Sequence, residues 1–294
     1  MKDKIDPLIA ERAPWMFSGR PHHELAQRVL TSLLGYPKTL AIGRKVEYAP
    51  TEVIMGTVAE VIAKDLQVSG IENIPRNGPA LIVANHPTGI ADGIMLWHIL
   101  QPIRPDLFIY ANSDILRILP QMESLILPVE WRQEKRTLAK TRETMSLTRE
   151  AIDKGRLGVI FPSGRLAKRR GLRLYEREWM PSAAMIARKY DLPVIPLNIR
   201  SRNSILFYLF DLIHPTLRDI TLFHEMLNKA RQPYRINIGR PIMPDRLPET
   251  SQDGIEMLKR ETLALGELNG PGISMVEVSR KLLARRGRRA AIGG

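Results

Sequence analysis

The sequence predicts an α/β protein with a mainly parallel central sheet flanked by helices, an N-terminal helical layer and a basic C-terminal tail. Two observations lead to this fold class. From about residue 68, short apolar runs of strand length alternate with longer helical segments, which indicates crossover connections between parallel strands. Before that point, two segments carry apolar residues at helical spacing. We find no repeat, low-complexity linker or composition shift that would separate two independent domains.

The N-terminal layer consists of two predicted helices. Residues 1–22 are polar and irregular in pattern, and His23 begins an amphipathic helix that ends at Leu34. Thr51 is a suitable N-cap for the second helix, whose apolar stripe runs to Leu66. The apolar faces allow packing on the core or contact with a membrane interface, and the few cations on the polar faces favour the core. The chain then divides into three parts: residues 1–67, 68–268 and 269–294.

Beyond residue 68 the predicted strands and helices follow one another closely. Six apolar runs read as buried strands: Ala80–Ala84, Asp106–Ala111, Leu125–Val129, Leu157–Phe161, Leu192–Ile199 and Tyr234–Ile238. Helices are predicted over residues 94–100, after Ser113, and over Glu134–Lys154, Trp179–Tyr190, Thr216–Ala230 and Thr250–Leu268. The tail from Arg280 to Arg289 carries six cations and no acidic residue.

The first candidate site is a strand–turn–helix segment that contains His86 and Asp92. Pro87, Thr88 and Gly89 force a turn between the strand and the helix. Residues six positions apart do not share a helix face, so the two side chains meet only if the loop folds His86 back over the helix start. A carboxylate that accepts an imidazole N–H raises the basicity of the other ring nitrogen, as a general base requires. Taken singly, each residue also fits a plainer role, a polar strand end and a helix cap.

A second turn follows the strand at 157–161 and is rich in cations. It reads Pro162-Ser163-Gly164-Arg165, and the basic residues Lys168, Arg169, Arg170 and Arg173 come directly after it. Loop N–H groups beside several cations suit a phosphate. The spacing is not that of a Walker A loop, and Ser163 lacks the frame of a nucleophile elbow. By itself the segment also fits a solvated basic loop.

Composition restricts the setting and the partners. The 294 residues are 44% hydrophobic and include no cysteine, which excludes disulfides and thiolate metal sites and makes a reducing cytosolic setting the default. We see no N-terminal signal and no apolar run of the ~20 residues that span a bilayer. The formal charge of +13 predicts an anionic partner. Nucleic acid is not expected, because no nucleic-acid-binding motif accompanies the charge.

Together, the two turns resemble the glycerolipid acyltransferases of the bacterial lysophosphatidate acyltransferase type. Residues 85–93 resemble the Asn-His-x4-Asp block of that family, with five residues instead of four between His and Asp, as in its hemolysin-like branch. Residues 161–165 are similar to the Phe-Pro-Glu-Gly-Thr-Arg block, and residues 192–197 to the Pro-Val-Val-Pro-Val strand. The blocks, in order, cover about residues 68–245.

One block departs from the family pattern. Ser163 stands where the family has Glu, so that carboxylate is lost, and Leu166 stands where it has Arg. Arg165, one position earlier, is expected to take over the contact with phosphate. This departure affects the expected identity of the substrate head group more than the expected acyl-transfer reaction.

The resemblance implies an O-acyltransferase domain over residues 68–268 that moves a fatty acyl group from acyl-ACP or acyl-CoA to a lysolipid hydroxyl. The acceptor would be lysophosphatidate-like or lyso-ornithine-lipid-like. His86 would be the general base, oriented by Asp92, and attack would be direct because no nucleophile frame exists. Backbone N–H groups near Gly164, or near Gly89 and the helix start, would stabilise the oxyanion. The substrate-binding candidates are Asn85, Gly89, Ser163, Gly164, Arg165, Lys168, Arg169 and, less strongly, Arg132.

No metal ion or cofactor is expected besides the thioester co-substrate. The expected partners are an anionic membrane surface, the lysolipid and an acyl carrier protein or CoA thioester, with the protein peripheral on the cytoplasmic face of the inner membrane or in the cytoplasm. Two other functions stay open. A non-catalytic lipid-binding protein is favoured by the missing Glu and opposed by the His–Asp pair, and an acyl-thioester hydrolase would pass the acyl group to water.

Overall fold

The computed structural model describes residues 1–130, 137–266 and 272–279. Its strands in chain order are β1 (Leu66–Ser69), β2 (Ala80–Ala84), β3 (Phe108–Asn112), β4 (Ile126–Val129), β5 (Leu157–Ile160), β6 (Lys168–Arg170), β7 (Arg173–Tyr175), β8 (Val194–Arg200), β9 (Tyr234–Ile238) and β10 (Gly272–Ser274). Seven of them form the central sheet in the order β1-β9-β8-β2-β5-β3-β4. β6, β7 and β10 form a small antiparallel sheet.

All neighbouring strands of the central sheet are parallel except β8 and β9. The predicted α/β fold with a mainly parallel sheet is therefore confirmed. Because parallel neighbours carry their carboxyl ends to the same sheet edge, the segments that follow β2, β5 and β8 emerge side by side. That edge carries the turn after β2 and the turn after β5, which the sequence singled out.

Helices cover both faces of this sheet. They are α1 (Lys2–Arg12), α2 (Pro21–Leu33), α3 (Tyr36–Val46), α4 (Thr51–Ile62), α5 (Ile90–Leu100), α6 (Asp114–Ile118), α7 (Leu138–Asp153), α8 (Ser182–Lys189), α9 (Ile205–Ile213), α10 (Pro215–Ile220), α11 (Leu222–Asn228), α12 (Ser251–Ala264) and α13 (Met275–Ser279).

The alternation of β2 shows how the core is divided. Ala80, Ile82 and Ala84 point to the layer that contains α4 and α5, whereas Leu81 and Val83 point to the layer that contains α8 and α12. Since successive side chains of a strand face opposite sides, a strand that is apolar at every position is buried on both faces. β2 is therefore a central strand, and its carboxyl end is held rigidly.

The N-terminal segment is more helical than its pattern predicts. Residues 1–22, predicted to be irregular, contain α1, whose Ile5 and Leu8 are buried in the same core as α4. Few apolar residues and the internal Pro7 hide this helix in the sequence, and its stability comes from packing on the rest of the protein. The predicted helix from Thr51 ends at Ile62, because Leu66 begins β1 and pairs with β9.

Three other predicted helices are shorter than expected. α7 starts at Leu138 instead of Glu134, where the Thr137 hydroxyl caps it by accepting from the N–H of Lys140; Glu134 itself lies outside the described residues. α8 starts at Ser182, and the predicted helix over Thr216–Ala230 is divided between α10 and α11. In each case the apolar spacing indicated a helix, and the boundaries of that helix were less well predicted than its presence.

The N-terminal helices differ in how they pack. α1, α3 and α4 each bury side chains, whereas α2 has no buried residue, and its Leu25, Val29 and Leu33 are more than half exposed. Over the described ranges, no helix has the length and apolar content needed to cross a membrane. The predicted basic tail, from Arg280 onward, lies outside these ranges.

A buried arginine stabilises the sheet edge opposite to the turns. The Arg104 guanidinium donates from Nε and Nη2 to both oxygens of Asp106, at 2.8 and 2.7 Å, and to the carbonyls of Pro75 and Gly155. Only 2% of its side chain is exposed. These hydrogen bonds hold the pKa of the Asp106 carboxyl below its usual value, with the bond from Arg104 as the largest cause.

We expect Arg104→Ala to lower the free energy of unfolding by about 3 kcal/mol, because it leaves buried carbonyls and a carboxylate without their donor. Urea denaturation measures the loss, and Arg76→Ala, at an exposed position nearby, is the control. A lowered carboxyl pKa stabilises the fold above the unfolded-state pKa and stops doing so as the pH falls through the folded-state pKa. The difference between wild type and variant should therefore shrink in acid, and equal stabilities at neutral pH would contradict the role of Arg104.

Candidate active site

The turn between β2 and α5 brings His86 and Asp92 together. Nδ1 of His86 lies 3.0 Å from Oδ2 of Asp92; the aspartate side chain is fully buried and the imidazole is 19% exposed. Gly89 makes the fold-back possible, because its φ of +92° is a conformation that side-chain-bearing residues rarely adopt. The loop thus presents one edge of the ring to a buried charge and the other toward solvent.

Most of the hydrogen bonds to the Asp92 carboxylate come from the turn that precedes it in the sequence. Its Oδ2 accepts from the N–H groups of Thr88 and Gly89, at 2.8 and 3.0 Å, and its Oδ1 accepts from the Thr88 hydroxyl at 2.6 Å. Asp92 is also the third residue of α5, so its charge lies at the positive end of the helix dipole. These hydrogen bonds satisfy the buried carboxylate and hold it in one position.

Tyr234 completes the environment of the carboxylate from a distant part of the chain. Its hydroxyl donates to Oδ1 of Asp92 at 3.0 Å and also contacts the Thr88 hydroxyl. Burial, and then the charge of Asp92, raise the pKa of Tyr234 well above its usual value, so the hydroxyl remains a donor. The sequence analysis placed Tyr234 at the start of a strand, and nothing in the local pattern connects it with a residue 142 positions away.

The His86–Asp92 contact has the length of a hydrogen bond but not its direction. Nδ1 is buried and lacks an acceptor in line with its N–H, although Oδ2 lies within 3.0 Å. Catalytic hydrogen bonds are often poorly aligned in structures without substrate and improve when it binds.

The segment that contains the second turn contacts His86 on the side opposite to Asp92. The imidazole ring of His86 stacks on the ring of Phe161, with centroids 4.3 Å apart and planes inclined by 29°. The backbone N–H of His86 donates to Oε2 of Glu176 at 3.2 Å, and its carbonyl accepts from the N–H of Ala167 at 2.9 Å. Ring and backbone are therefore both fixed by the segment between β5 and α8.

Glu176 is a residue that the sequence analysis missed. Besides the N–H of His86, its carboxylate accepts from Nε1 of Trp179 at 3.1 Å, and Ser163 also hydrogen-bonds to it. Burial raises the pKa of the Glu176 carboxyl, while these donors act in the opposite direction. The turn after β5 lacks a carboxylate of its own, and Glu176 brings one to the same place.

Residues 65–200 match the family model whose description is Acyltransferase. This stretch starts just before β1, ends with β8 and includes His86, Asp92 and Glu176. Through these residues, the chain is similar to the acyltransferase family. The match stops before β9, so Tyr234 lies outside the matched residues.

Two relatives of this chain are both named Lyso-glycine lipid O-acyltransferase. The protein from Phocaeicola vulgatus is 26% identical over 189 residues, and the one from Bacteroides thetaiotaomicron is 23% identical over 189 residues. Each match covers 62% of this chain, and it spans 66% of the first relative, just under two thirds, and 68% of the second. Among solved structures, the 1-acyl-sn-glycerophosphate (LPA) acyltransferase PlsC from Thermotoga maritima aligns with a TM-score of 0.46 and 14% identity, over 84% of this chain and 99% of that one.

Two residues that were predicted to contact the substrate form hydrogen bonds inside the protein instead. Asn85, predicted to bind substrate, is fully buried, and its amide exchanges two hydrogen bonds with the backbone of Ile199 on β8. Ser163 is also buried, and its hydroxyl donates to the carbonyl of Arg165. Asn85 and Ser163 therefore shape the two turns from within.

Among the predicted oxyanion donors, the N–H groups of the two glycines are occupied, whereas those at the helix start are not. The N–H of Gly89 donates to Asp92, and the N–H of Gly164 donates to the carbonyl of Phe161 at 2.9 Å. The first turn of α5 remains, since the initial N–H groups of an α-helix have no acceptor within the helix. Ile90 and Ala91 occupy those positions, next to the turn that contains His86.

The predicted basic residues lie in different places. Arg165, Lys168 and Arg170 are exposed on and after the second turn, whereas Arg169 is half-buried and donates to the carbonyl of Gly171. Arg132, also predicted to bind substrate, lies outside the described residues. Arg177, which the sequence analysis did not single out, donates from Nε to the carbonyl of Leu166 at 2.9 Å.

Charges of both signs surround Arg177. Burial, followed by the neighbouring charges of Arg165 and Arg218, lowers the pKa of its guanidinium, while Asp211 and Glu176 act in the opposite direction. An anion bound between Arg165 and Arg177 would relieve the repulsion between these two cations. Within the described ranges, no group of three His, Asp or Glu side chains is arranged to hold a metal ion.

We expect Tyr234→Phe to lower the free energy of unfolding by about 2 kcal/mol, because it removes a donor from a buried charged carboxylate. Tyr110→Phe is the matched control, since the Tyr110 hydroxyl is also buried but bonds the neutral hydroxyl of Thr148 at 3.0 Å. We expect the control to lose about 1 kcal/mol. Chemical denaturation of both variants measures the difference, and equal losses would show that the charge of Asp92 does not depend on Tyr234.

Proposed function

We propose that the protein is a peripheral-membrane O-acyltransferase that moves a fatty acyl group from acyl-ACP or acyl-CoA to the hydroxyl of a lysolipid. The observation that carries the proposal is the partly exposed imidazole of His86 beside the fully buried carboxylate of Asp92. A fixed anion next to Nδ1 makes Nε2 the basic nitrogen, and Nε2 is the atom that an alcohol approaches from solvent.

In the proposed reaction, Nε2 of His86 takes the proton of the acceptor hydroxyl while its oxygen attacks the thioester carbonyl carbon. The C–O bond forms, and the carbonyl oxygen becomes an oxyanion beside the first-turn N–H groups of Ile90 and Ala91. When the tetrahedral intermediate collapses, the C–S bond breaks and the leaving thiolate takes the proton from His86. Asp92 compensates the transient positive charge on the imidazole without accepting the proton.

The acceptor is proposed to be a lysolipid with an anionic head group. The names of the relatives from Phocaeicola and Bacteroides support a lysolipid acceptor, and the cations near the second turn support a negative charge on it. Arg165, exposed at the end of that turn, and Arg177 are the proposed contacts for the head group. A lyso-glycine lipid and lysophosphatidate satisfy this description, and a lyso-ornithine lipid does so through its carboxylate, although its head group also carries an amine.

The association with the cytoplasmic face of the inner membrane is likewise a proposal. The formal charge of +13 supports contact with anionic lipid, and the same positive field suits an acidic acyl carrier protein. We propose no cofactor beyond the thioester co-substrate.

The decisive experiment incubates the purified protein with acyl-ACP or acyl-CoA and each of the three lysolipids, and identifies products by mass spectrometry. We expect thiol release that depends on the lysolipid and yields a diacylated lipid. His86→Ala should lower the rate by ~10²–10⁴ with an unchanged circular dichroism spectrum, because it removes only the base. Thiol release without a lysolipid would show a hydrolase, and no release under any condition would show a binding protein.

Glu176 is proposed as a positioning residue for His86, because its carboxylate accepts the backbone N–H of the catalytic residue. In Glu176→Gln, one carbonyl oxygen faces several donors, so a donor loses its acceptor and His86 shifts. We expect kcat to fall about tenfold with KM and thermal stability little changed. Glu178→Gln, at an exposed position two residues away, is the control.

The pH dependence separates this role from a structural one. Because the pKa of Glu176 is raised, its carboxylate takes up a proton at a higher pH than an ordinary glutamate and then accepts more weakly from the N–H of His86. The rate of the wild type should therefore fall more steeply in mild acid than that of Glu176→Gln, which has no carboxyl group at this position. Parallel pH profiles would contradict the positioning role.

A further inference from the structure

One face of α9 is apolar and uncovered. Ile205, Leu209, Leu212 and Ile213 are 76%, 49%, 69% and 62% exposed. Their spacing places them on one side of the helix. Leu172, in the turn between β6 and β7, is 68% exposed as well. Clusters of large exposed apolar residues are uncommon on soluble surfaces and mark contact with a partner or a membrane.

The opposite face of α9 is firmly packed, so the exposure is not a sign of a loose helix. Phe207 and Tyr208 are buried against Ala167 and Leu174, which flank and belong to the β6–β7 hairpin. The helix also has a proper start, because the Ser204 hydroxyl caps it by accepting from the N–H of Phe207. α9 and the hairpin therefore form one unit with an apolar outer side.

The amino end of α9 is anchored by a buried ion pair. Glu225 accepts from the N–H of Ser204 at 2.8 Å and pairs with Lys229, whose ammonium also donates to Asn203 at 2.6 Å. Both charged side chains are essentially unexposed, so breaking this contact would leave a buried charge without a partner. The outer face of α9 is thus held in a defined orientation.

This unit lies next to the proposed active site. α9 follows β8, whose Ile199 is bonded to Asn85, and Ala167 donates to the carbonyl of His86. The hairpin also carries two exposed cations, Lys168 and Arg170 on β6. We call Ile205, Leu209, Leu212, Ile213, Leu172, Lys168 and Arg170 the α9–hairpin surface.

We infer that the α9–hairpin surface docks on an anionic lipid bilayer, with the apolar side chains in the acyl-chain boundary and the two cations among the head groups. The inference rests on the proposed function, because docking on the bilayer would give the enzyme its lysolipid acceptor from the lipid leaflet that it contacts. Apolar residues beside cations of one sign match the chemistry of a membrane surface. A second copy of the chain would bring these cations against its own cations, which disfavours self-association.

The test measures binding to vesicles of phosphatidylcholine with and without phosphatidylglycerol by co-sedimentation. The variant combines Ile205→Gln, Leu209→Gln and Leu212→Gln. These three side chains are exposed, and their replacement leaves the net charge of the protein unchanged. The control combines Leu138→Gln and Leu147→Gln on α7, which are 77% and 36% exposed and lie outside the surface. We expect the α9 variant to lose at least about tenfold in binding and the control to bind like the wild type.

A second readout separates this inference from the proposed function. Activity is measured on a short-chain lysolipid below its critical micelle concentration and on the same head group embedded in vesicles. We expect the α9 variant to retain the rate on the dispersed lysolipid and to lose it on vesicles. Failure of the proposed function would leave the wild type inactive on both substrates, while vesicle binding still depends on α9.

Two outcomes overturn the inference. Equal vesicle binding by the α9 variant and the wild type would show that the surface does not contact the bilayer. A dimeric wild type that becomes monomeric in the α9 variant, with vesicle binding unchanged, would assign the surface to a second copy instead. If vesicle binding by the wild type does not increase with phosphatidylglycerol, Lys168 and Arg170 do not bind anionic head groups.

Discussion

The site depends on one buried negative charge. A carboxylate as fully enclosed as that of Asp92 is costly unless donors surround it. The turn after β2 supplies those donors from Thr88 and Gly89, and only one path of the backbone, through the positive φ of Gly89, places them all. The need to satisfy Asp92 therefore determines the conformation of the loop, and that conformation places His86.

The sheet supplies what the turn lacks. β9 brings the Tyr234 hydroxyl to Asp92, and β8 holds Asn85 through the backbone of Ile199. On the other side, the segment after β5 contributes the ring of Phe161 and the carboxylate of Glu176. A single imidazole is thus fixed by four separate parts of the chain, which explains how a loop residue can be as rigid as a core residue.

The secondary structure was predicted well where it depends on residues close together in the sequence, and less well where it depends on distant ones. The buried run Ala80–Ala84 was found because a strand covered on both faces is apolar at each position. α1 and β1 were missed, since α1 is stabilised by burying Ile5 and Leu8 against distant elements and β1 by pairing with β9. The contact of His86 with Asp92 followed from loop geometry, whereas the roles given to Asn85 and Ser163 had to be revised once their internal partners were known.

The sequence by itself determined the alternation of strands and helices, the mainly parallel sheet, and the turn in which His86 reaches Asp92, because these follow from periodicity and backbone geometry over a few residues. Only the tertiary structure decided that Tyr234 and Glu176 serve this turn and that α9 keeps an apolar face uncovered. The physical reason is that the partner of a buried polar group, and the cover of an apolar face, depend on which distant segments the sheet brings side by side.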